Sequence, residues 1–213
     1  MGDEQKKQLR LAEIYEEHHQ RGDRCGFTFG GEEKGRRIAA WVGTGRRVLD
    51  LGCRDGTLTR YYVPGNEVVG VDLDRAALAQ CERILGIQTR WADLTAELPF
   101  NDSSFDVVVA SEVLEHLSWP EIVVREAARV LRAGGAFVGS VPNAFRLKNR
   151  LLFMLGIEYE RDVTHLRRFS RRGLSGLLSK YFSDVRVVPA FGRIARLHGP
   201  LFANSLLWRA RKP

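Results

Sequence analysis

Long apolar runs are missing from this 213-residue chain. None approaches the roughly 18–20 residues needed to span a bilayer. The amino-terminal stretch MGDEQKKQLRLAEIYEEHHQRGDR is charged throughout and has no apolar h-region, so no secretory signal is expected and a cytoplasmic location is. Cysteine is scarce: Cys25, Cys53 and Cys81 are odd in number and far apart, which excludes a disulfide framework and a spaced metal-ligand set. They are expected as reduced thiols. No cluster of carboxylates along the chain demands a metal, and none is expected. Internal repeats and low-complexity linkers are also missing, so one domain is the simplest account.

What is present is a globular composition, 44% hydrophobic and 28% charged. The net charge of +7 is unevenly placed. Residues 1–145 carry 18 Lys/Arg against 22 Asp/Glu, whereas residues 146–213 carry 15 against 4. A strongly basic final third suggests an anionic partner, or a solvated basic surface with none.

Residues 3–20 read as an exposed charged helix, and 32–42 as a second helix. A regular alternation follows. RRVLDL is a strand, GTLTRYYV a helix and NEVVGVD a strand. DRAALAQCERILG is a helix with Ala77, Cys81, Ile84 and Leu85 on one buried face. IQTRWAD and SFDVVVAS are strands, the latter buried on both faces. PEIVVREAARVLRAGG is a helix with Pro120 in its first turn and Gly134-Gly135 at its end, and GAFVGSVP is a strand. After Asn143 comes an insertion with its own amphipathic helix. SRRGLSGLLSKYF follows as a helix capped by Ser170, with Leu174, Leu177, Leu178 and Phe182 sharing a face. DVRVVPAF and NSLLWRARK close the chain as strands; alternation of Leu206, Trp208 and Ala210 with polar neighbours marks an edge or antiparallel strand. The expected fold is α/β, a Rossmann-like doubly wound sheet of about seven strands, mostly parallel with a late antiparallel strand. Its ligand should lie beyond the carboxyl ends of the central strands.

Three acids or turns fall on those ends. Gly52 and Gly56 flank the turn after the first strand. Asp72 closes the second, 20 residues after Gly52, the reach of a ribose diol. Asp93 closes the third, where a carboxylate can accept a hydrogen bond from an adenine amino group. A dinucleotide wants unobstructed amides in G-x-G-x-x-G for its pyrophosphate. This loop reads G-C-R-D-G, and Asp50 and Asp55 would repel a phosphate. Asp50 suits the ammonium of a methionine moiety instead. Arg54 is open to two readings, pointing to solvent or approaching the methionine carboxylate.

The motifs VLDLGCRDG, VVGVDLD, ADLTAELPFNDSSFDVVVASEVLEHL and REAARVLRAGGAFVGSVPN, in this order over residues 46–142, resemble the class I S-adenosylmethionine-dependent methyltransferases. The likeness is to the broad group that includes the ubiquinone-biosynthesis methyltransferases. The resemblance implies S-adenosylmethionine as cofactor. By position, Asp50, Gly52 and Gly56, with the intervening Cys53 and Arg54, would line the methionine end. Asp72 and Leu73 would hold ribose and adenine, and Asp93 and Leu94 the adenine ring. Ser111 and Glu112 would close the pocket. Arg54 replaces the usual middle glycine. The resemblance also divides the chain into a helical lid (1–43), a cofactor core (44–142) and a substrate-side insertion with the last strands (143–213).

A hydroxyl acceptor calls for a general base, which favours histidine. His116 in SEVLEHL would overlook the transferring methyl, or only pack locally. His165 sits in DVTHLRRFS, which resembles an element preceding a late helix in enzymes of glycan, lipid-linked sugar or quinone modification; bracing a loop is its other reading. His18 and His19 are expected in solvent, with Tyr15 as a lid residue. RLKNRLLFMLG, with Arg146, Lys148 and Arg150 before Leu151–Leu155, reads as the roof of a substrate pocket or as a peripheral membrane contact over 146–155. The expected activity is O-methylation of a small or lipid-linked, anionic metabolite, saccharide or quinone-like. RNA methylation is one alternative, prompted by pI 9.7, although no RNA-binding module is visible. Another is a non-catalytic partner subunit, since LDLGCRDG resembles in part a methionine-biosynthesis protein that works beside a homoserine acyltransferase. The sequence carries no signal for oligomeric state.

Overall fold

A computed structural model describes residues 31–213, apart from 161, 163, 193, 194, 196 and 197. The expectations for the helix at 3–20, Tyr15, His18, His19, Cys25 and most of the lid lie outside the described residues. Two compact units meet in sequence after Phe100.

In the first unit, α1 (Gly31–Val42) turns Ile38 and Val42 inward. Strands β1 (Arg47–Leu51), β2 (Glu67–Asp72) and β3 (Gln88–Trp91) pair in parallel, β2 in the middle. Val48, Leu49, Leu51 and Val71 are wholly buried, as a continuous apolar run in a parallel strand requires. Helix α2 (Arg75–Leu85) starts where the Asp74 carboxylate accepts from the Ala77 amide, and it stops at Gly86 with φ 64°.

Two expectations fail here. GTLTRYYV is not a helix: only a 3-10 turn forms, at Thr59–Tyr61. β-Branched Thr57 and Thr59 disfavour helix, and Pro64 ends the segment before a second turn can close. On α2 the buried stripe runs through Ala77, Leu78 and Cys81, while Ile84 is 60% exposed. Leu78, not Ile84, therefore completes that face.

The second unit contains β4 (Phe105–Ser111), α3 (Pro120–Val130), β5 (Leu131–Pro142), α4 (Leu147–Met154), α5 (Arg171–Leu178), β6 (Ser183–Ala190), α6 (Gly199–Phe202) and β7 (Ser205–Arg211). β4 and β5 are parallel; β7 runs antiparallel to both β5 and β6. Ser170 caps α5 by accepting from the Gly173 amide, and Leu174, Leu178 and Phe182 are buried beneath it as expected, while Leu177 is only half-buried. Gly134-Gly135 do not end α3. The chain is already extended at Leu131, whose buried side chain opens β5, and the glycines lie in an irregularity where the register shifts between Phe105 and Val107.

Trp208 is fully buried and meets Phe137 edge to face at 5.6 Å. Gly139 makes room for it. A Cβ there would sit 1.9 Å from the Ala110 carbonyl oxygen and 2.4 Å from the indole. Among the described residues seven strands form, in the order β3-β2-β1 in the first unit and β4-β5-β7-β6 in the second, the mostly parallel arrangement with late antiparallel pairing that the alternation predicts. No helix among the described residues is long and apolar enough to cross a membrane.

Candidate functional site

The loop after β1 is built around three acids. Gly52 (φ 72°) and Gly56 (φ 81°) occupy left-handed backbone, the conformation that reserves these places for glycine. Arg54 adopts it too, at φ 49°, which costs a side-chain-bearing residue roughly 1 kcal/mol. Its amide is repaid by Asp72, whose Oδ2 accepts it at 2.9 Å, while Oδ1 accepts the Asp74 amide at 2.9 Å. Asp72 therefore braces the loop as well as ending β2. A carboxylate oxygen takes two hydrogen bonds, so this does not prevent it from receiving a ribose hydroxyl. The Arg54 guanidinium lies 3.5 Å from Asp55 and is mostly shielded, so it does not simply point to solvent. The Cys53 side chain packs into a small core with Leu78, Cys81, Leu85, Ile87 and Trp91. Cys53 and Cys81 are free thiols.

Asp50 is the centre of this loop. It is 3% exposed, and its Oδ2 accepts from Thr59 Oγ1 at 2.6 Å and from the Tyr62 hydroxyl at 2.7 Å. Burial lifts its pKa to about 6; the two hydroxyls pull it down, and Asp72 adds to the rise. A buried carboxylate so destabilised in its charged form would be stabilised by a neighbouring cation. Both clamping bonds fall on Oδ2. Thr59 and Tyr62 were not among the residues singled out from sequence. Their signal was faint: two hydroxyls in a short segment bounded by Gly56 and Pro64.

At the ends of β2 and β3, the Leu73 carbonyl accepts from the Trp91 indole at 2.8 Å. Asp93 accepts from the Thr95 amide and hydroxyl, both through Oδ1, and Leu94 is buried. Three carboxylates, Asp50, Asp55 and Asp72, around one glycine turn are hostile to a pyrophosphate. They fit a positively charged, phosphate-free adenosyl donor.

The second unit holds two further constellations. After β4, Ser111 Oγ lies 2.7 Å from Ser140 Oγ, which donates to Glu112 Oε1 at 2.6 Å. Glu112 sits at φ 58°, with its amide bonded to the Ser140 carbonyl. A non-glycine residue held in that region is backbone strain of the kind that gathers at functional sites.

Farther along, the Arg167 amide donates to the Glu115 carbonyl and its guanidinium to the Ser118 carbonyl, docking the late loop on the turn after β4. This brings His116 and His165 together, 4.8 Å between ring centroids, edge to face. His116 Nδ1 lies 3.2 Å from the Thr164 carbonyl and 3.0 Å from Thr164 Oγ1. A carbonyl only accepts, so Nδ1 carries the proton and Nε2 a lone pair. Burial, seconded by His165, lowers the His116 pKa to about 4. His165 Nδ1 lies 3.1 Å from Glu160 Oε2, and its Nε2 is 3.8 Å from Asp162 Oδ2. One oxygen of buried Glu115 and one nitrogen of each ring lie within 4.8 Å of one another, a grouping of the type that can chelate a cation. Sequence reading named the two histidines separately; the carboxylates around them were missed, because that pairing is tertiary.

Residues 49–139 match a family model described as a methyltransferase domain. A probable S-adenosylmethionine-dependent methyltransferase of Mycobacterium tuberculosis is 36% identical over 160 residues, covering 74% of this chain and 54% of that protein. The ubiquinone biosynthesis O-methyltransferase of Pseudomonas putida is 36% identical over 121 residues, covering 54% of this chain and 52% of the relative. The chain thus spans about half the length of the curated relatives it matches. Among solved structures, an S-adenosylmethionine-dependent methyltransferase of Thermotoga maritima, titled a possible histamine N-methyltransferase, superimposes with TM-score 0.67 at 18% identity over 96% of this chain and 97% of that one. At that identity the likeness speaks for the fold. Residues 49–139 thus form a methyltransferase domain, and the chain is similar over most of its length to S-adenosylmethionine-dependent methyltransferases, which implies S-adenosylmethionine as its cofactor.

Proposed function

We propose that the protein transfers the methyl group of S-adenosylmethionine to an oxygen of a small or lipid-linked, anionic acceptor of saccharide or quinone-like type. The observation that carries the cofactor half is Asp50, a buried acid clamped on one oxygen and lifted to a pKa of about 6. In this reading Asp50 pairs with the methionine ammonium, Asp72 receives the ribose hydroxyls, and Asp93 with Leu94 meets the adenine.

When bound, the cofactor would supply an electrophilic sulfonium methyl, whose carbon an acceptor oxygen would take while the S–C electron pair stayed on sulfur. A hydroxyl acceptor must also lose its proton. His116 suits that task in one respect, since it is neutral with Nε2 unprotonated; its low pKa makes it a weak base. His165, set between Glu160 and Asp162, is the companion that would take the proton onward. The basic final third supports an anionic acceptor, and the relative named a ubiquinone biosynthesis O-methyltransferase supports oxygen as the atom.

Calorimetry with S-adenosylmethionine and S-adenosylhomocysteine tests the first half, with micromolar binding expected. Transfer of labelled methyl to hydroxylated quinones, phosphorylated saccharides and RNA tests the second. Turnover on RNA alone would overturn the acceptor class, and tight cofactor binding without turnover on any class would point to a partner subunit.

A further inference from the structure

Five of the ten exposed large apolar side chains among the described residues fall in one short stretch. They are Leu151, Phe153, Met154, Leu155 and Ile157, with Phe153, Met154 and Leu155 between 72% and 78% exposed. Isolated exposed apolar residues are ordinary; a contiguous set of this size is not. The stretch is the end of α4 and the turn that follows it.

The two sequence readings of this segment separate here. Along its flank, α4 forms with α6 an apolar groove of about 390 Å³, lined by Leu147, Lys148, Leu151, Leu152 and Phe202. Phe153, Met154 and Leu155 do not line it. They stand at the end of the helix and its C-cap. A pocket roof accounts for the groove wall but leaves the tip unexplained.

Charge identifies what the tip meets. From Asn143 to Ile157 the sequence contains Arg146, Lys148 and Arg150 and no acid. Arg146 is tied to Asn149 and Asn204, and Arg150 to the Phe145 carbonyl, all neutral partners. No ion pair among the described residues uses any of these three cations. A projecting apolar tip with uncompensated cations just behind it matches the layered chemistry of an anionic bilayer, acyl chains beneath phosphates. We propose that the tip Phe153–Ile157 inserts into the interfacial layer of an anionic membrane, with Lys148 and Arg150 on the lipid phosphates. The surface would then collect acceptors that reside in, or partition to, that layer. The inference does not depend on which acceptor is methylated.

Flotation of the full chain with vesicles tests it. The protein is expected to float with phosphatidylcholine–phosphatidylglycerol vesicles, less so as salt is raised, and not with phosphatidylcholine alone. The triple variant Phe153→Ser, Met154→Ser, Leu155→Ser should reduce partitioning about tenfold or more. Because these side chains are exposed, its thermal melting and S-adenosylmethionine affinity should match the parent's. Lys148→Glu with Arg150→Glu should remove the preference for anionic lipid, and it gives an independent check if the triple variant misfolds. No flotation with the anionic vesicles, or equal flotation of parent and both variants, would overturn the proposal. So would sedimentation showing a dimer that the triple variant dissociates, since the patch would then belong to a second copy. Unchanged cofactor binding in every case keeps the outcome separate from the test of methyl transfer.

Discussion

Asp50 in the first unit is buried and His116 in the second is half-buried, each beside other titratable groups, and their surroundings push them in opposite directions. Asp50 is lifted to a pKa of about 6, two hydroxyls only partly offsetting the burial of its charge. His116 is lowered to about 4, its one N–H spent on a carbonyl so that the ring stays neutral. The first is an anion held ready at a desolvation cost, which a cationic ligand relieves. The second is a neutral lone pair. The contrast is between a group that binds charge and a group that handles a proton.

The sharpest way to break the first half is Asp72→Ala. It strands the Arg54 and Asp74 amides and removes the ribose acceptor, so cofactor affinity should fall by roughly 1–3 kcal/mol, with a lowered melting temperature. An unchanged dissociation constant in calorimetry would refute the placement of the sugar. Asp50→Asn should separate binding from stability. Affinity is expected to drop about tenfold through loss of the ion pair, while the ligand-free protein melts no lower than the parent, since a costly buried charge is gone.

Acidification sharpens the comparison further. Asp50 has a raised folded pKa, so its stabilising contribution is complete below about pH 4 and is lost as pH rises through 6. His116 has a depressed one, so its contribution is present above its ordinary value of 6.5 and is lost as pH falls through 4. Between pH 6 and 4 the two slopes oppose. Denaturant unfolding across that window should show a steeper acid loss in Asp50→Asn than in the parent, and a shallower one in His116→Asn. Parallel curves for all three proteins would show that neither group titrates in this way. The smallest effect is expected for Arg54→Gly. Relief of a left-handed backbone residue should raise stability by about 0.5 kcal/mol, less whatever the Asp55 pair contributes.

The sheet was readable because its strands are short apolar runs separated by helices with one apolar stripe, and strand-end acids follow from that frame by counting. Gly52, Gly56, Asp72 and Asp93 therefore stand where the spacing put them. What failed was local competition. The segment Gly56–Val63 has a helical look, yet Pro64 and two hydroxyls drawn to Asp50 hold it to a single turn. Leu131 seemed to continue a helix, but a wholly buried place opposite Phe105 makes it the first residue of β5. The strain at Glu112 and the meeting of His116 with His165 have no sequence signature, because each depends on a partner many residues away.

The outermost strand of the antiparallel trio has a colloidal consequence. β6 carries Asp184, Arg186 and Pro189 and pairs only with β7 in that trio. Pro189 offers no N–H to an approaching chain, and the two charges would have to be stripped of water before another ribbon could align. The rim thus discourages ribbon-to-ribbon stacking, so crowding is less apt to convert this sheet into a seed for fibres.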